Sequence, residues 1–248
     1  LNLTAATSPP WVIAHRGFSA NYPENTFSAF DAALETPIHA IETDIQMSRD
    51  KTALIYHNHT LLNVGGGFRR VRTQSAARLA ELNAAHGSNQ AQSEPLPLLD
   101  QLLARYGQKC ILLLEIKRRE PNRDRFRALM DLVIQQVRHH NLEDRVCILC
   151  YNLELLAYGY QQAPNLRYVL NQDTSHFHPD AHFLFAYSMN IKGLKPHFSE
   201  QVRQSGKPLF TFTCNTEDHL KQALKCGVNG IMSDNPRWLA QVLQTQFT

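Results

Sequence analysis

Nine short β-rich runs punctuate the chain, and longer amphipathic stretches separate most of them. The candidate strands are Trp11–Ala14, Ala40–Ile45, Thr52–Tyr56, Ile111–Ile116, Val146–Cys150, Arg167–Leu170, Phe183–Met189, Leu209–Thr213 and Gly230–Met232. Apolar residues at helical spacing mark Thr26–Leu34, Arg123–His140, Leu153–Gln162, Ser199–Ser205 and Thr216–Cys226. This alternation predicts a parallel sheet covered by helices. A chain of 248 residues has the usual size of one (β/α)8 barrel. Nine strands are one too many for such a barrel. Only Gln46 to Lys51 separate the second and third, too few for a parallel crossover, so these two are expected to pair as an antiparallel hairpin. The expected fold is therefore α/β, a TIM barrel with a β-hairpin at its second strand. One domain should span 1–248, with an insertion or lid at about 58–97 that holds Gly65-Gly66-Gly67, Arg69-Arg70 and the polar stretch Gly87–Glu94.

Local signals agree with the helices. Asn25-Thr26 precedes the stripe Phe27, Phe30, Ala33 and Leu34, and Asn215-Thr216-Glu217-Asp218 places a cap and two acids ahead of Leu220, Ala223 and Leu224. Gly227 stands where a left-handed residue should end that last helix. Of the five cysteines, Cys147 and Cys150 have C-x-x-C spacing, but within a buried-strand pattern and without a second ligand pair, so zinc and redox roles are disfavoured. A net charge of +3 with scattered Lys and Arg argues against nucleic acid, and no apolar run is long enough for a membrane span. Cysteine usage suits a reducing, cytoplasmic location; the chain opens on Leu1, which leaves a removed signal peptide open.

Polar residues collect where the strands end. The first run closes on His15-Arg16-Gly17: an imidazole that transfers protons near neutral pH, a planar fork that grips phosphate, and a glycine that lets backbone turn close to a ligand. In the second, strand alternation puts Glu42 and Asp44 on one face and Ile41, Thr43 and Ile45 on the other. In the fourth, Glu115 and Lys117 share a face. Three carboxylates from two strands form an oxygen-rich set suited to one divalent cation, Mg²⁺ or Ca²⁺, rather than zinc. A buried ion-pair cluster with Lys117 or Arg16 is the bland alternative. The hairpin strand ends in His57, at a second strand mouth. Two imidazoles, an arginine and a divalent ion are the parts for phosphodiester cleavage.

These residues and their order resemble the glycerophosphodiester phosphodiesterase family nearly end to end. The shared motifs are His15-Arg16-Gly17, Pro23-Glu24-Asn25-Thr26, Glu42-x-Asp44, Glu115-x-Lys117 and the closing segment Asn215 to Asp218 with Gly227 to Pro236. The resemblance implies a barrel that hydrolyses small-molecule glycerophosphodiesters to glycerol 3-phosphate and an alcohol. It implies His15 and His57 as the acid/base pair and Glu42, Asp44 and Glu115 as metal ligands. Arg16 and Lys117 would hold phosphate, and Phe212, Glu24 and Asn25 would line the substrate pocket. A monomer or homodimer without stable membrane insertion is expected. Three positions depart from the family pattern: Asn58 and Asn229 each replace Asp, and Phe212 replaces Trp. Asn58 keeps hydrogen bonding beside His57 but loses a charge. A lysophospholipase D-type activity on lipids and a non-catalytic phosphate-ester binding barrel are the competing readings. The second is disfavoured because three carboxylates without a cation repel phosphate.

Overall fold

A computed structural model describes residues 9–86 and 93–247; most of the polar stretch Gly87–Glu94 lies outside them. Among the described residues the strands are β1 (Trp11–His15), β2 (Ala40–Met47), β3 (Ala53–Ile55), β4 (Ile111–Ile116), β5 (Val146–Cys150), β6 (Arg167–Gln172), β7 (Ala186–Asn190), β8 (Leu209–Phe212) and β9 (Gly230–Ser233). The sheet runs β1-β9-β8-β7-β6-β5-β4-β2, and a parallel β1–β2 pairing closes it into a barrel. β3 sits outside that ring, antiparallel to β2 through Ile45↔Ile55 and Met47↔Ala53. The fold is the expected (β/α)8 TIM barrel with a hairpin at the second strand. Closure also sets the register that matters for chemistry, with His15 beside Glu42 and Asp44 beside Glu115.

Barrel strands are buried on both faces, which is why β4 reads Ile-Leu-Leu-Leu-Glu-Ile. Leu112, Leu114 and Ile116 face the helices, whereas Leu113 joins Ile13, Ala40, Val169, Phe210 and Met232 inside the barrel. Each such side chain contributes about 1.5–3 kcal/mol of burial. The interior is therefore a packed plug beneath the C-terminal mouth.

The helices are α1 (Phe27–Leu34), α2 (Ala76–Ala80), α3 (Leu99–Tyr106), α4 (Arg123–His139), α5 (Leu153–Gln162), α6 (Pro196–Gln204), α7 (Glu217–Lys225) and α8 (Pro236–Phe247). Thr26 caps α1 by accepting from the Ala29 N–H, and Thr216 caps α7 by accepting from His219; each such cap contributes about 1 kcal/mol. Gly227 has φ of +63°, as expected after α7. Asn229 keeps a tie between β8 and β9, its Oδ1 accepting from the Leu209 N–H at 2.9 Å. None of the described helices is long and apolar enough to cross a membrane.

Some boundaries differ from expectation. The run Phe183–Met189 becomes strand only from Ala186, because pairing with β6 begins at Val169↔Ala186; Phe183 instead packs on the Tyr160 ring. β8 stops at Phe212, one residue short of Thr213, and β2 runs on to Met47. Three helices lie outside the expected stretches: the short α2 within the insertion, and two longer ones, α3 and α8. Both have an apolar stripe, Leu99, Leu102, Leu103 and Tyr106 in one and Leu239 and Leu243 in the other. Between β3 and α3 the chain forms a satellite layer with its own small core of Leu61, Val64, Val71, Leu79 and Leu82.

Candidate active site

The turn after β1 is held in unusual backbone. Arg16 and Gly17 have φ of +56° and +82°, and Asn25 has +61°. A Cβ at Gly17 would lie 2.7 Å from the Ala29 carbonyl carbon, so the glycine admits close approach of α1 rather than of a ligand. This strained turn presents both flanking side chains, His15 and Arg16, to the mouth.

Glu42 and Asp44 are 2% and 1% exposed, and Glu115 is buried with them. One oxygen from each lies within 4.8 Å of the others. Two cations serve three carboxylates. Lys117 Nζ is 3.2 Å from Asp44 and 2.8 Å from Glu115, while Arg16 Nε is 3.1 Å from Asp44 and its Nη1 is 2.7 Å from Glu24. Glu42 touches neither cation; it accepts from the Arg16 backbone N–H at 3.3 Å and lies 3.8 Å from His15 Nε2. Burial, then the charges of Asp44 and Glu115, hold the Glu42 carboxyl well above the usual carboxylate range. Burial, then the charge of Asp44, likewise raises Glu115. Burial also opposes ionisation of Asp44, but Lys117, Arg16 and His57 outweigh it and its pKa falls. A buried carboxylate without a cation, in an all-oxygen donor set, is what a divalent ion would complete.

His15 and His57 both stand close to this cluster, His15 with Nε2 3.8 Å from Glu42 and His57 within the field of Asp44. His15 Nδ1 is 2.6 Å from Asp234 Oδ1, and Asp234 is held in turn by Asn215 Nδ2 at 2.6 Å and Ser19 Oγ at 3.2 Å. Burial acts to raise the Asp234 carboxyl, yet these bonds and the charge of His15 bring it below the usual range. An ionised Asp234 only accepts, so Nδ1 of His15 donates and Nε2 is left for chemistry. His57 Nδ1 is 3.2 Å from Asn58 Oδ1, which again selects Nε2 as the free edge. Burial, with Arg16 and Lys117 acting in the same direction against Asp44, lowers the His57 pKa. Asn58 thus keeps the orienting bond expected of it.

The pocket residues occupy different places. Asn25 is buried and its amide is engaged: Nδ2 donates to Asp44 at 2.8 Å and Oδ1 accepts from Thr43 at 2.7 Å. It steadies a carboxylate from behind. Glu24 lines a cleft of about 360 Å³ with His15, Arg16, Ser19, Asn215 and Asp234, and also lines a second cleft of about 260 Å³ toward Tyr56 and Asn58. Phe212 is half-buried, edge-on to Tyr151 at 6.3 Å. Asp234, Asn215 and Ser19 were given no role by sequence reasoning. Asp234 follows an apolar strand as His15 does, and that parallel was the available signal.

Comparison with known proteins adds to this geometry. Residues 15–237 match the Glycerophosphoryl diester phosphodiesterase family. A glycerophosphodiester phosphodiesterase of Bacillus altitudinis is 28% identical over 91% of this chain and 94% of its own. Among solved structures, a glycerophosphodiester phosphodiesterase from Parabacteroides distasonis superposes with a TM-score of 0.85 at 18% identity, covering 98% of this chain and 100% of that one. A phosphodiesterase from Oleispira antarctica, in complex with the product sn-glycerol-3-phosphate, gives 0.82 at 22%, covering 95% and 97%.

Proposed function

The chain belongs to the glycerophosphoryl diester phosphodiesterase family and is a phosphodiesterase, and on that premise we propose how its own residues hydrolyse glycerophosphodiesters to sn-glycerol 3-phosphate and an alcohol. The observation that carries the reading is the pair of imidazoles, each tied at Nδ1 to a side-chain oxygen, flanking three clustered carboxylates. One imidazole takes the proton of the attacking hydroxyl at Nε2, and the other gives a proton from Nε2 to the leaving alkoxide. Asp234 and Asn58 keep the rings in the tautomer and orientation this requires. Glu42, Asp44 and Glu115 would hold one divalent cation, Mg²⁺ or Ca²⁺, which when bound would supply positive charge against the negative charge growing on the phosphate oxygens. Arg16 and Lys117 bind the phosphate from the same side, Glu24 walls the cleft, and Phe212 offers the glycerol an apolar face. The product complex of the Oleispira antarctica relative supports glycerol 3-phosphate as the released ester.

Residues 1–248 act as one catalytic domain, with an insertion or lid at about 58–97. Five free, buried cysteines support a cytoplasmic location. The test incubates the protein with glycerophosphocholine, glycerophosphoethanolamine and glycerophosphoinositol, with and without chelator, and follows glycerol 3-phosphate. His15→Ala and His57→Ala are each expected to slow release about 10²–10⁴-fold, and chelation to stop it. Undiminished release in both variants and in chelator refutes the assignment.

A further inference from the structure

Arg70, Arg72 and Arg119 all stand near His59 on the insertion side of the mouth, and none is paired with an acid among the described residues. Arg70 and Arg72 come from the satellite layer, and Arg119 comes from the turn after β4. Arg72 Nη1 donates to the Arg119 carbonyl at 2.7 Å, and the Arg119 N–H donates to the Lys117 carbonyl at 2.7 Å. The group therefore starts one tight turn beyond Lys117. All three arginines act on the imidazole of His59, two residues past His57, and add to the lowering of its pKa that desolvation begins.

None of the three forms an ion pair with a carboxylate among the described residues. Glu120 feels Arg72, but its carboxylate is bonded to Arg125. Elsewhere on this surface arginines do find acids, as Arg105 does with Asp31 and Arg203 with Glu200. Arg119 Nε is moreover buried without a hydrogen-bond partner. A desolvated guanidinium edge without acceptor or counter-charge is unfavourable, and its planar fork is shaped to take two oxygens of one anion, a phosphate or a carboxylate.

Building on the phosphodiesterase reading, we propose that Arg70, Arg72 and Arg119 form a subsite for a second anionic group, a phosphate monoester or carboxylate, on the alcohol half of the substrate. The alcohol is the half concerned because glycerol has no charge beyond the scissile phosphate. The cleft on the opposite flank, by Ser19, Asn215 and Asp234, has hydroxyl, amide and carboxylate groups that suit a neutral polyol.

A matched pair of substrates tests this: glycerophosphoinositol and glycerophosphoinositol 4-phosphate, which differ by one phosphate monoester. The full chain is expected to favour the phosphorylated diester about tenfold or more in kcat/KM, through KM. Arg119→Gln and the exposed Arg70→Gln should each pull that ratio toward unity, and Arg119→Lys should retain part of it. Equal kcat/KM for both diesters in the native chain overturns the proposal, as does a preference that survives both Gln variants. So does loss of binding to phosphatidylglycerol vesicles in those variants while the ratio stays fixed, which would make the arginines, with the 83% exposed Phe68, a lipid-surface contact. Hydrolysis of neither diester, nor of glycerophosphocholine, would instead reject the phosphodiesterase reading itself.

Discussion

Replacing Glu42 with Gln should make the metal-free protein more stable while abolishing its response to a divalent cation. The substitution keeps shape and the acceptor for the Arg16 N–H, and removes one charge from a set of three. Glu42, Asp44 and Glu115 bring oxygens within 4.8 Å of one another. At an effective dielectric of about 20, two unit charges at that separation repel by about 3 kcal/mol. Arg16 and Lys117 offset part of this, but their contacts go to Asp44, Glu115 and Glu24 rather than to Glu42. A net gain of about 2 kcal/mol is expected at pH 8, or a rise in Tm of about 4–8 °C for a chain of this size. The size of the gain depends on pH. The folded Glu42 pKa lies above its unfolded value, so the native chain loses stability as pH rises from the ordinary carboxylate range through that higher value. The gap between variant and native chain should therefore open with rising pH and close in acid. Calorimetry in chelator reads the gap. Adding Mg²⁺ or Ca²⁺ at about 100 times its Kd should then stabilise the native chain by about 2.7 kcal/mol and the variant far less. A metal-free variant that melts below the native chain at pH 8, with the same response to added cation, would refute the electrostatic reasoning.

Two further outcomes are expected. Asn58→Asp places a charge beside His57 Nδ1, now 3.2 Å from the amide oxygen, and should raise the His57 pKa from its lowered position; an NMR titration of the imidazole in metal-free protein checks this, and no upward movement would contradict it. Gly17→Ala forces a Cβ to 2.7 Å from the Ala29 carbonyl carbon at φ of +82°, which should cost about 2 kcal/mol or more; an unchanged urea midpoint would show that the turn relaxes freely.

What could be read from the sequence follows a physical divide. Strand alternation alone placed Glu42 and Asp44 on one face, because the period of two is set by the covalent chain. The shortness of Gln46 to Lys51 likewise forced the hairpin, since a parallel crossover needs more residues than that. Asn25 is a different case. Its motif suggested a pocket wall, but whether an amide faces substrate or a neighbouring carboxylate depends on β2 packing against the β1–α1 turn. The Asp234 partner of His15 was hidden for the same reason: 219 positions separate them, and only closure of the barrel brings them together. The run at Phe183 shows the limit from the other side. Its composition is that of a strand, yet the neighbouring strand offers no partner there, so aromatic packing decides the backbone instead.

The His15–Asp234 bond joins the first strand to the last across the seam between β1 and β9. During synthesis on the ribosome, the histidine emerges 219 positions ahead of the acceptor it waits for. Until β9 docks, His15 has no carboxylate to fix its tautomer, and the ring lacks the strand that completes it. On the proposed mechanism, catalytic competence and barrel closure are thus one event. A nascent or truncated product missing β9 would hold nearly every ligand and base described above and still lack an oriented first imidazole, which couples hydrolysis to completion of the fold.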